Sequence, residues 1–163
     1  MWKKPTTGVV KINVDESFHA ETLSGATGAV VPNDHGEFIA AATWYLAHIS
    51  TVDSPEINAI RNGFMLATNR GCNRLIIESD STFAVQGVNQ ADAYLGPDLS
   101  IIVECGQLAA DFTSTTVVQW FGEANEVVNG LAKHASSSRY STFWDSYFPD
   151  FISPFLVNHL AII

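Results

Sequence analysis

The stretch VKINVD, residues 10–15, alternates apolar and polar side chains without interruption. Strict alternation is typical of a β-strand with one buried face, and it leaves Asp15 on the polar face at the end of the strand. Two further apolar runs, at residues 26–32 and 37–45, are separated by the turn-forming sequence NDHG at 33–36. This part of the chain therefore predicts three short strands joined as an antiparallel meander.

The hydrophobic period changes after the meander to the spacing of a helix. Ser54, Pro55 and Glu56 are typical of a helix start, with serine as the N-cap and proline in the first turn. A strand predicted over 74–80 leads directly into a helix over 81–90, which indicates a crossover to a parallel strand. The remaining predicted elements are a helix, a strand and a helix, at residues 98–112, 115–121 and 123–136. This order predicts an α/β fold with a five-stranded mixed sheet, in which three antiparallel strands are followed by parallel strands, and with helices packed on it.

Length and charge narrow the class of protein. The 163 residues fit a single domain. Eight basic and seventeen acidic residues give a net charge of -9, which has the wrong sign for binding phosphate backbone by counterion release. Neither a signal peptide nor an apolar run of about 18 residues is visible, so we expect an intracellular protein, cytoplasmic or nuclear, without membrane contact. Any contact with nucleic acid must therefore be local or assisted by metal ions.

Three acidic residues stand at the ends of predicted elements. Asp15 ends the first strand, Glu56 lies in the first turn of the first helix, and Asp80 ends the fourth strand. Each has an ordinary explanation as a polar strand residue, a favourable charge at a helix N-terminus, or a helix cap. If the first and fourth strands are neighbours, however, the three carboxylates converge and repel one another. Two Mg²⁺ or Mn²⁺ ions would neutralise them and would support phosphoryl displacement.

Seven motifs follow one another along the chain. They are KINVDESF at 11–18, GAVV at 28–31, GEF at 36–38, PEINA at 55–59, IESDS at 77–81, EAN at 123–125 and LAK at 131–133. In order and spacing they resemble the ribonuclease H type-1 domain, and most closely the plant version linked to non-LTR retrotransposon reverse transcriptases. The resemblance implies the ribonuclease H fold over residues 1–137 and hydrolysis of the RNA strand of an RNA–DNA hybrid with two Mg²⁺ or Mn²⁺ ions.

The resemblance also assigns roles to particular residues. It implies that Asp15, Glu56 and Asp80 are catalytic metal ligands, with one ion activating the attacking water and the other stabilising the leaving 3′ oxygen. The fourth carboxylate of the family falls on Asn129, which is a catalytic position without a charge. An amide there implies weaker metal binding on that side. The loop at 119–122 also lacks the histidine that assists product release in many members of the family.

Two further residues are candidates for substrate contact. Gly28 lies in a region that resembles the part of the family domain that approaches the RNA backbone, although a plain turn explains a glycine there nearly as well. Asn125 lies four residues before Asn129, on the same face of the last predicted helix. Two surface amides would share that spacing, so the role of Asn125 as a substrate contact is open.

Residues 138–163 differ from the rest of the chain in composition. They include the aromatic sequence FWDSYFPDFISPF at 143–155. Such a segment would expose a large apolar patch if it remained in water. We therefore expect this tail to pack on the domain or on a partner, which includes a second copy of the chain.

Two classes of function remain open at this point. The first is an RNA–DNA hybrid endoribonuclease weakened by Asn129, and the second is a catalytically degenerate nucleic-acid-binding or protein-interaction module of the same fold. Asn129, the absent loop histidine and the net charge favour the second. A related 3′–5′ exonuclease fits less well, because that group typically begins with Asp-x-Glu. Glu16 directly follows Asp15 and is predicted to point to the opposite face of the strand.

Overall fold

The computed structural model describes residues 9–33, 35, 37–49 and 54–145. Within these ranges the chain forms six strands: Val9–His19 (β1), Ser24–Pro32 (β2), Phe38–Leu46 (β3), Arg74–Ser79 (β4), Ser114–Gln119 (β5) and Thr142–Asp145 (β6). It also forms four α-helices and one short 3-10 turn: Pro55–Arg70 (α1), Thr82–Asn89 (α2), Leu99–Ala109 (α3), Glu123–Ser138 (α4) and the turn Ala91–Ala93. The predicted elements occur in the predicted order, with one further strand at the end.

The strands form one mixed sheet in the order β5-β4-β1-β2-β3-β6. β1, β2 and β3 pair antiparallel, whereas β1 pairs with β4 and β4 with β5 in parallel. The predicted α/β class and the predicted change from antiparallel to parallel pairing are confirmed. Because β1 lies at the centre, it is the strand on which both halves of the sheet meet.

The prediction of five strands was wrong, since β6 adds a sixth. It pairs antiparallel with β3, with Thr142 opposite Thr43 and Asp145 opposite Ala40. The threonine and aromatic residues of β6 have high strand propensity, and they cover an edge of β3 that would otherwise present unpaired backbone groups. The start of the predicted aromatic tail therefore belongs to the sheet. Residues 146–163 lie outside the described part of the chain, and the predicted boundary at 137 stays a prediction.

Helix α1 begins at the cap that its sequence predicts and ends at a glycine. The Ser54 hydroxyl accepts a hydrogen bond from the Ile57 amide, and Gly71 ends the helix in the left-handed conformation, with a φ of 68°. The helix then packs closely on the sheet, because Gly63 leaves its backbone near β1. A Cβ at Gly63 would lie only 2.8 Å from the Val14 Cγ1. This close packing holds α1, the helix that carries Glu56, against β1.

The two faces of the sheet bury separate clusters of apolar side chains. The larger cluster includes Ile12, Val14 and Ile77 under α1 and α3, while the smaller one joins Val30 to Leu131 of α4 and to other residues of that helix. Each fully buried aliphatic side chain of this kind contributes about 1.5–3 kcal/mol of transfer free energy. No helix in the described ranges combines the length and the apolar character that crossing a membrane requires.

Candidate metal centre

The parallel pairing of β1 with β4 brings two acidic residues to one end of the sheet. Val14 lies opposite Ser79, the last residue of β4, so Asp15 and Asp80 emerge at the same place. The prediction that Asp15 ends the first strand was wrong, because the pairing with β2 extends β1 to His19. One carboxylate oxygen from each of Asp15, Glu16 and Asp80 lies within 4.8 Å of the other two. The structure therefore brings together two of the three predicted ligands, and it adds Glu16. We refer to Asp15, Glu16 and Asp80 as the acidic cluster.

Glu56 lies at the margin of the acidic cluster. Its Oε2 accepts a hydrogen bond of 2.9 Å from the Ser54 hydroxyl, the same group that caps α1. The Ser54 amide in turn donates to the buried carboxylate of Asp98 at 2.8 Å. Glu56 is not part of the group whose oxygens lie within 4.8 Å, but its charge raises the pKa values of Glu16 and Asp80. It therefore stands beside the acidic cluster, held by Ser54.

The prediction that Glu16 points away from Asp15 was wrong. It assumed the alternation of an ideal strand, but the Oδ1 of Asp15 accepts a hydrogen bond of 2.8 Å from the Glu16 amide. This contact turns the Asp15 carboxylate along the strand toward its neighbour, where the longer glutamate side chain can meet it. Two adjacent acidic residues at the end of the predicted strand were visible in the sequence, but alternation alone assigned them to opposite faces.

The electrostatic state of the acidic cluster follows from burial and from like charges. Burial, then the charge and the hydrogen bond of Asp15, raise the pKa of Glu16 from 4.5 to about 9, with smaller contributions from Glu56 and Asp80. Burial and the charge of Asp15 also raise the pKa of Asp80. Among the described residues, no lysine or arginine forms an ion pair with any of these carboxylates. The acidic cluster therefore has no positive partner within the described part of the chain.

This donor set fits a hard divalent cation. Magnesium and manganese ions prefer carboxylate oxygens, and several carboxylates that face one another without a cation are the arrangement that such an ion stabilises. Asp15, Glu16 and Asp80 have oxygens close enough together to contact one ion. Glu56 stands beside this group, where its charge acts on both Glu16 and Asp80. The arrangement can hold positive charge where the described part of the chain supplies none.

The remaining predicted site residues lie close to β1 or to the start of α4. Asn129 donates from its Nδ2 to the backbone carbonyl of Glu16 at 3.4 Å, so it reaches the strand that carries the acidic cluster. Asn125 is buried, and its Nδ2 donates to the carbonyl of Trp120, a contact that holds the turn between β5 and α4. A direct contact of Asn125 with substrate remains a prediction.

Gly28 lies on β2 directly opposite Asp15, where it is buried beneath α4. A Cβ at this position would be 3.0 Å from the carbonyl oxygen of Val128. The close approach that requires glycine here is therefore the approach of α4 to the sheet. The predicted contact of Gly28 with an RNA backbone has no support from this packing and stays a prediction.

A second buried carboxylate stands two residues away on the same pair of strands. Glu78 is 6% exposed, its Oε2 accepts a hydrogen bond of 2.7 Å from Asn13, and its Oε1 lies 3.2 Å from the Lys11 ammonium. One oxygen of Glu78 thus accepts a hydrogen bond from an amide, and the other forms an ion pair with an ammonium group. Its charge is compensated inside the protein.

Comparison with solved structures identifies the fold. The chain is similar to RNase H1 of the halophilic archaeon Halobacterium salinarum, with 17% identity and a TM-score of 0.69, over 80% of this chain and 98% of that one. It is similar to the N-terminal RNase H domain of a Mycobacterium tuberculosis protein, with 19% identity and a TM-score of 0.66, over 80% and 97%. LC11-RNase H1, solved in complex with an RNA/DNA hybrid, has 14% identity and a TM-score of 0.67, over 80% and 98%.

A family comparison reaches the same fold from the sequence. No curated protein matches the chain. The family model described as "Reverse transcriptase-like", however, matches residues 13–135, a range that contains the acidic cluster, Glu56 and Asn129. At the level of family and fold, the resemblance noted in the sequence is therefore confirmed. Because this family model matches most of the chain, the chain belongs to the reverse transcriptase-like family, and it has the ribonuclease H fold.

Proposed function

We propose that this protein is a metal-dependent endonuclease that hydrolyses the RNA strand of an RNA–DNA hybrid. The observation that carries the proposal is the acidic cluster, formed where the C-terminal end of β4 meets β1, which has no positive partner in the described residues. LC11-RNase H1, a structure with the same fold, was solved with an RNA/DNA hybrid bound. The similarity to solved structures shows the fold alone, so the activity is proposed from the acidic cluster.

Asp15 and Asp80 would hold the metal, and Glu56 would hold it from the margin of the acidic cluster. When bound there, two divalent ions supply charge stabilisation to the attacking and leaving oxygens of a phosphodiester. The chain contributes the orientation of the ligands. Ser54 fixes the Glu56 carboxylate, and the parallel register of β1 and β4 fixes Asp15 against Asp80.

The distribution of basic residues also favours binding through metal. Arg61 pairs with Glu104 at 3.3 Å, and Lys11 and Arg70 are likewise engaged in ion pairs. These side chains are thus occupied within the fold. With a net charge of -9, the protein cannot rely on a broad basic surface to hold phosphate backbone. Ions in the acidic cluster would provide local positive charge at the place of hydrolysis.

Exposed apolar side chains beside Glu56 offer a surface for bases. A groove of about 580 Å³ runs from Ser54 and Glu56 to residues 93–98, and it is lined by Phe18 and Phe83. Phe83 is 56% exposed and Leu95, also in the groove, is 97% exposed. Aromatic side chains in such positions stack on nucleic-acid bases without regard to sequence, each contact contributing about 1–3 kcal/mol. The groove supports a nucleic-acid substrate.

The test is cleavage of a labelled RNA–DNA hybrid by the purified chain at millimolar Mn²⁺. Asp80→Asn removes one carboxylate of the acidic cluster, and Asp111→Asn is the matched control. Asp111 is exposed, and it precedes the start of β5, which lies at the opposite end of the sheet from Asp80. We expect hydrolysis by the wild type and by Asp111→Asn, and none above background by Asp80→Asn. Equal rates for wild type and Asp80→Asn would refute the proposal.

The second candidate is a non-catalytic module of the same fold, favoured by the amide at Asn129. Binding of the hybrid by wild-type protein without any cleavage would support it. The narrower link to plant retrotransposon proteins remains a hypothesis, as does an intracellular location in cytoplasm or nucleus. Contact of the tail with a partner or with a second copy also remains a hypothesis, because most of the tail lies outside the described residues.

A further inference from the structure

We infer that Glu16 is a metal ligand of this protein and that it supplies the carboxylate that Asn129 lacks. The inference rests on the proposed function, because it concerns the same metal ions. Its basis is geometric: a Glu16 carboxylate oxygen lies within 4.8 Å of oxygens of Asp15 and Asp80. Glu56, the third ligand that the sequence predicted, is not in that group. Among the described residues, Glu16 is thus better placed than Glu56 to share an ion with both aspartates.

The contact of Asn129 explains why an amide suits that position in this chain. Its Nδ2 donates to the backbone carbonyl of Glu16 at 3.4 Å. An ionised aspartate has no donor, so at position 129 it would face the Glu16 carbonyl with a like partial charge. The amide instead ties α4 to the residue of β1 that carries the extra carboxylate. Asn129 therefore acts as a positioning residue for Glu16.

The number of carboxylates around the site also supports an exchange, in which Glu16 replaces the carboxylate that is missing at position 129. With Glu16 included, four carboxylates surround the site: Asp15, Glu16, Glu56 and Asp80. An aspartate at position 129 would bring a fifth into the same neighbourhood. Because like charges that share a site disfavour one another, adding it without further cations works against ionisation of the others. Glu16 and an aspartate at 129 are thus alternatives in this site.

The exchange makes a prediction that a simple loss of one ligand does not make. If Asn129 were only a missing ligand, Asn129→Asp would tighten metal binding in any background. If Glu16 has taken over the role, Asn129→Asp brings no gain in the wild type. The same substitution then restores binding only where Glu16 has been neutralised. A double-mutant cycle separates the two cases, because it isolates the coupling between the two positions.

The experiment is a titration of the full chain with MnCl₂ by isothermal calorimetry, without nucleic acid. The variants are Glu16→Gln, Asn129→Asp and the double variant, with Asp111→Asn as the matched control. We expect Glu16→Gln to weaken Mn²⁺ affinity at least about tenfold, the lower end of what outer-shell substitutions cost. Asn129→Asp alone should bind no more tightly than wild type, and the double variant should recover affinity relative to Glu16→Gln. Asp111→Asn should bind as wild type does.

Two results would overturn the inference. One is wild-type affinity in Glu16→Gln, and the other is an equal gain from Asn129→Asp in both backgrounds. Circular dichroism checks that each variant is folded, and Glu16→Ala serves in the titration if the glutamine variant is not. Retention of Mn²⁺ by Glu16→Gln together with cleavage by the wild type would reject Glu16 and leave the proposed nuclease intact. Loss of Mn²⁺ in Glu16→Gln with no cleavage by the wild type would support the ligand and reject the nuclease.

Discussion

Glu78 and the acidic cluster lie on the same two strands, yet their charges are handled in opposite ways. Glu78 is buried with a donor from Asn13 and a cation from Lys11. Asp15, Glu16 and Asp80 face one another, and among the described residues no cation pairs with them. A buried charge is costly unless it is paired and hydrogen-bonded. Glu78 is therefore a structural group, whereas the acidic cluster is compatible with the binding of a divalent cation.

The partners of a carboxylate, rather than its presence, indicate its role. The chain has seventeen acidic residues, and a count of them does not separate the two kinds. The separation comes from the contacts on each oxygen. Substitutions that perturb either Glu78 with its partners or the acidic cluster, and leave the other unchanged, test this distinction directly.

The largest effects should come from replacing one carboxylate by an amide, either in the acidic cluster or at Glu78. Asp80→Asn should lower hydrolysis of a hybrid by at least about 10²-fold, because weaker metal binding removes charge stabilisation from the reacting oxygens. It should not lower stability, since it removes repulsion within the acidic cluster. Glu78→Gln should have the opposite effect. It should reduce the free energy of unfolding, while the folded fraction of the variant should hydrolyse the hybrid at the wild-type rate. Initial rates and urea unfolding of both variants check this, and loss of activity in Glu78→Gln at full folding would contradict it.

The next effect is a dependence of stability on pH in the absence of metal. The raised pKa of Glu16 means that the fold keeps a proton which the unfolded chain releases above about pH 4.5. The free energy of unfolding should therefore fall as pH rises from about 5 toward 9, by up to about 1.4 kcal/mol per pH unit for one proton. Urea unfolding in a chelator at several pH values measures the slope.

Glu16→Gln is the control for this dependence. The slope should become shallower but not vanish, because the pKa of Asp80 is raised as well. Saturating Mn²⁺ should also flatten the slope in the wild type, since a bound cation favours the ionised carboxylates. A stability that rises with pH over this window would contradict the arrangement of the acidic cluster.

A smaller effect is expected when the donor to Glu78 is removed. Asn13→Leu leaves the Oε2 of a buried carboxylate without its hydrogen bond of 2.7 Å. The cost should be about 1–3 kcal/mol in the free energy of unfolding, the usual penalty for an unsatisfied buried group. Mn²⁺ affinity of the folded protein should stay at the wild-type value. A parallel loss of affinity would mean that the two arrangements are not independent.

The smallest effect should follow removal of the cation beside Glu78. The Lys11 side chain is 50% exposed, so solvent screens its ion pair of 3.2 Å. Lys11→Met should therefore lower the free energy of unfolding by less than about 1 kcal/mol. The difference from the wild type should shrink further in high salt, as urea unfolding at two ionic strengths would measure. If Lys11→Met lowered the free energy of unfolding more than Asn13→Leu does, the Lys11 ion pair would be the stronger contact of Glu78, contrary to this prediction.

Much of the fold was predictable because its signals are local. The alternation in β1, the Ser54 cap with Pro55, and the end of α1 at Gly71 each depend on residues close together in the chain. β6 was missed because its partner is the free edge of β3, which exists only once the sheet has formed. The meeting of Asp15 with Asp80 could be inferred, since it required only that β1 and β4 be neighbours.

The order of the elements, the N-cap of α1 and the acidic residues near β1 and β4 follow from propensity and spacing along the chain. Which carboxylates are paired and which face one another depends on contacts between distant residues. Asn13 meets Glu78 across 65 positions and Asn129 meets the Glu16 backbone across 113. Such contacts depend on strand register and helix packing, and no local pattern specifies them.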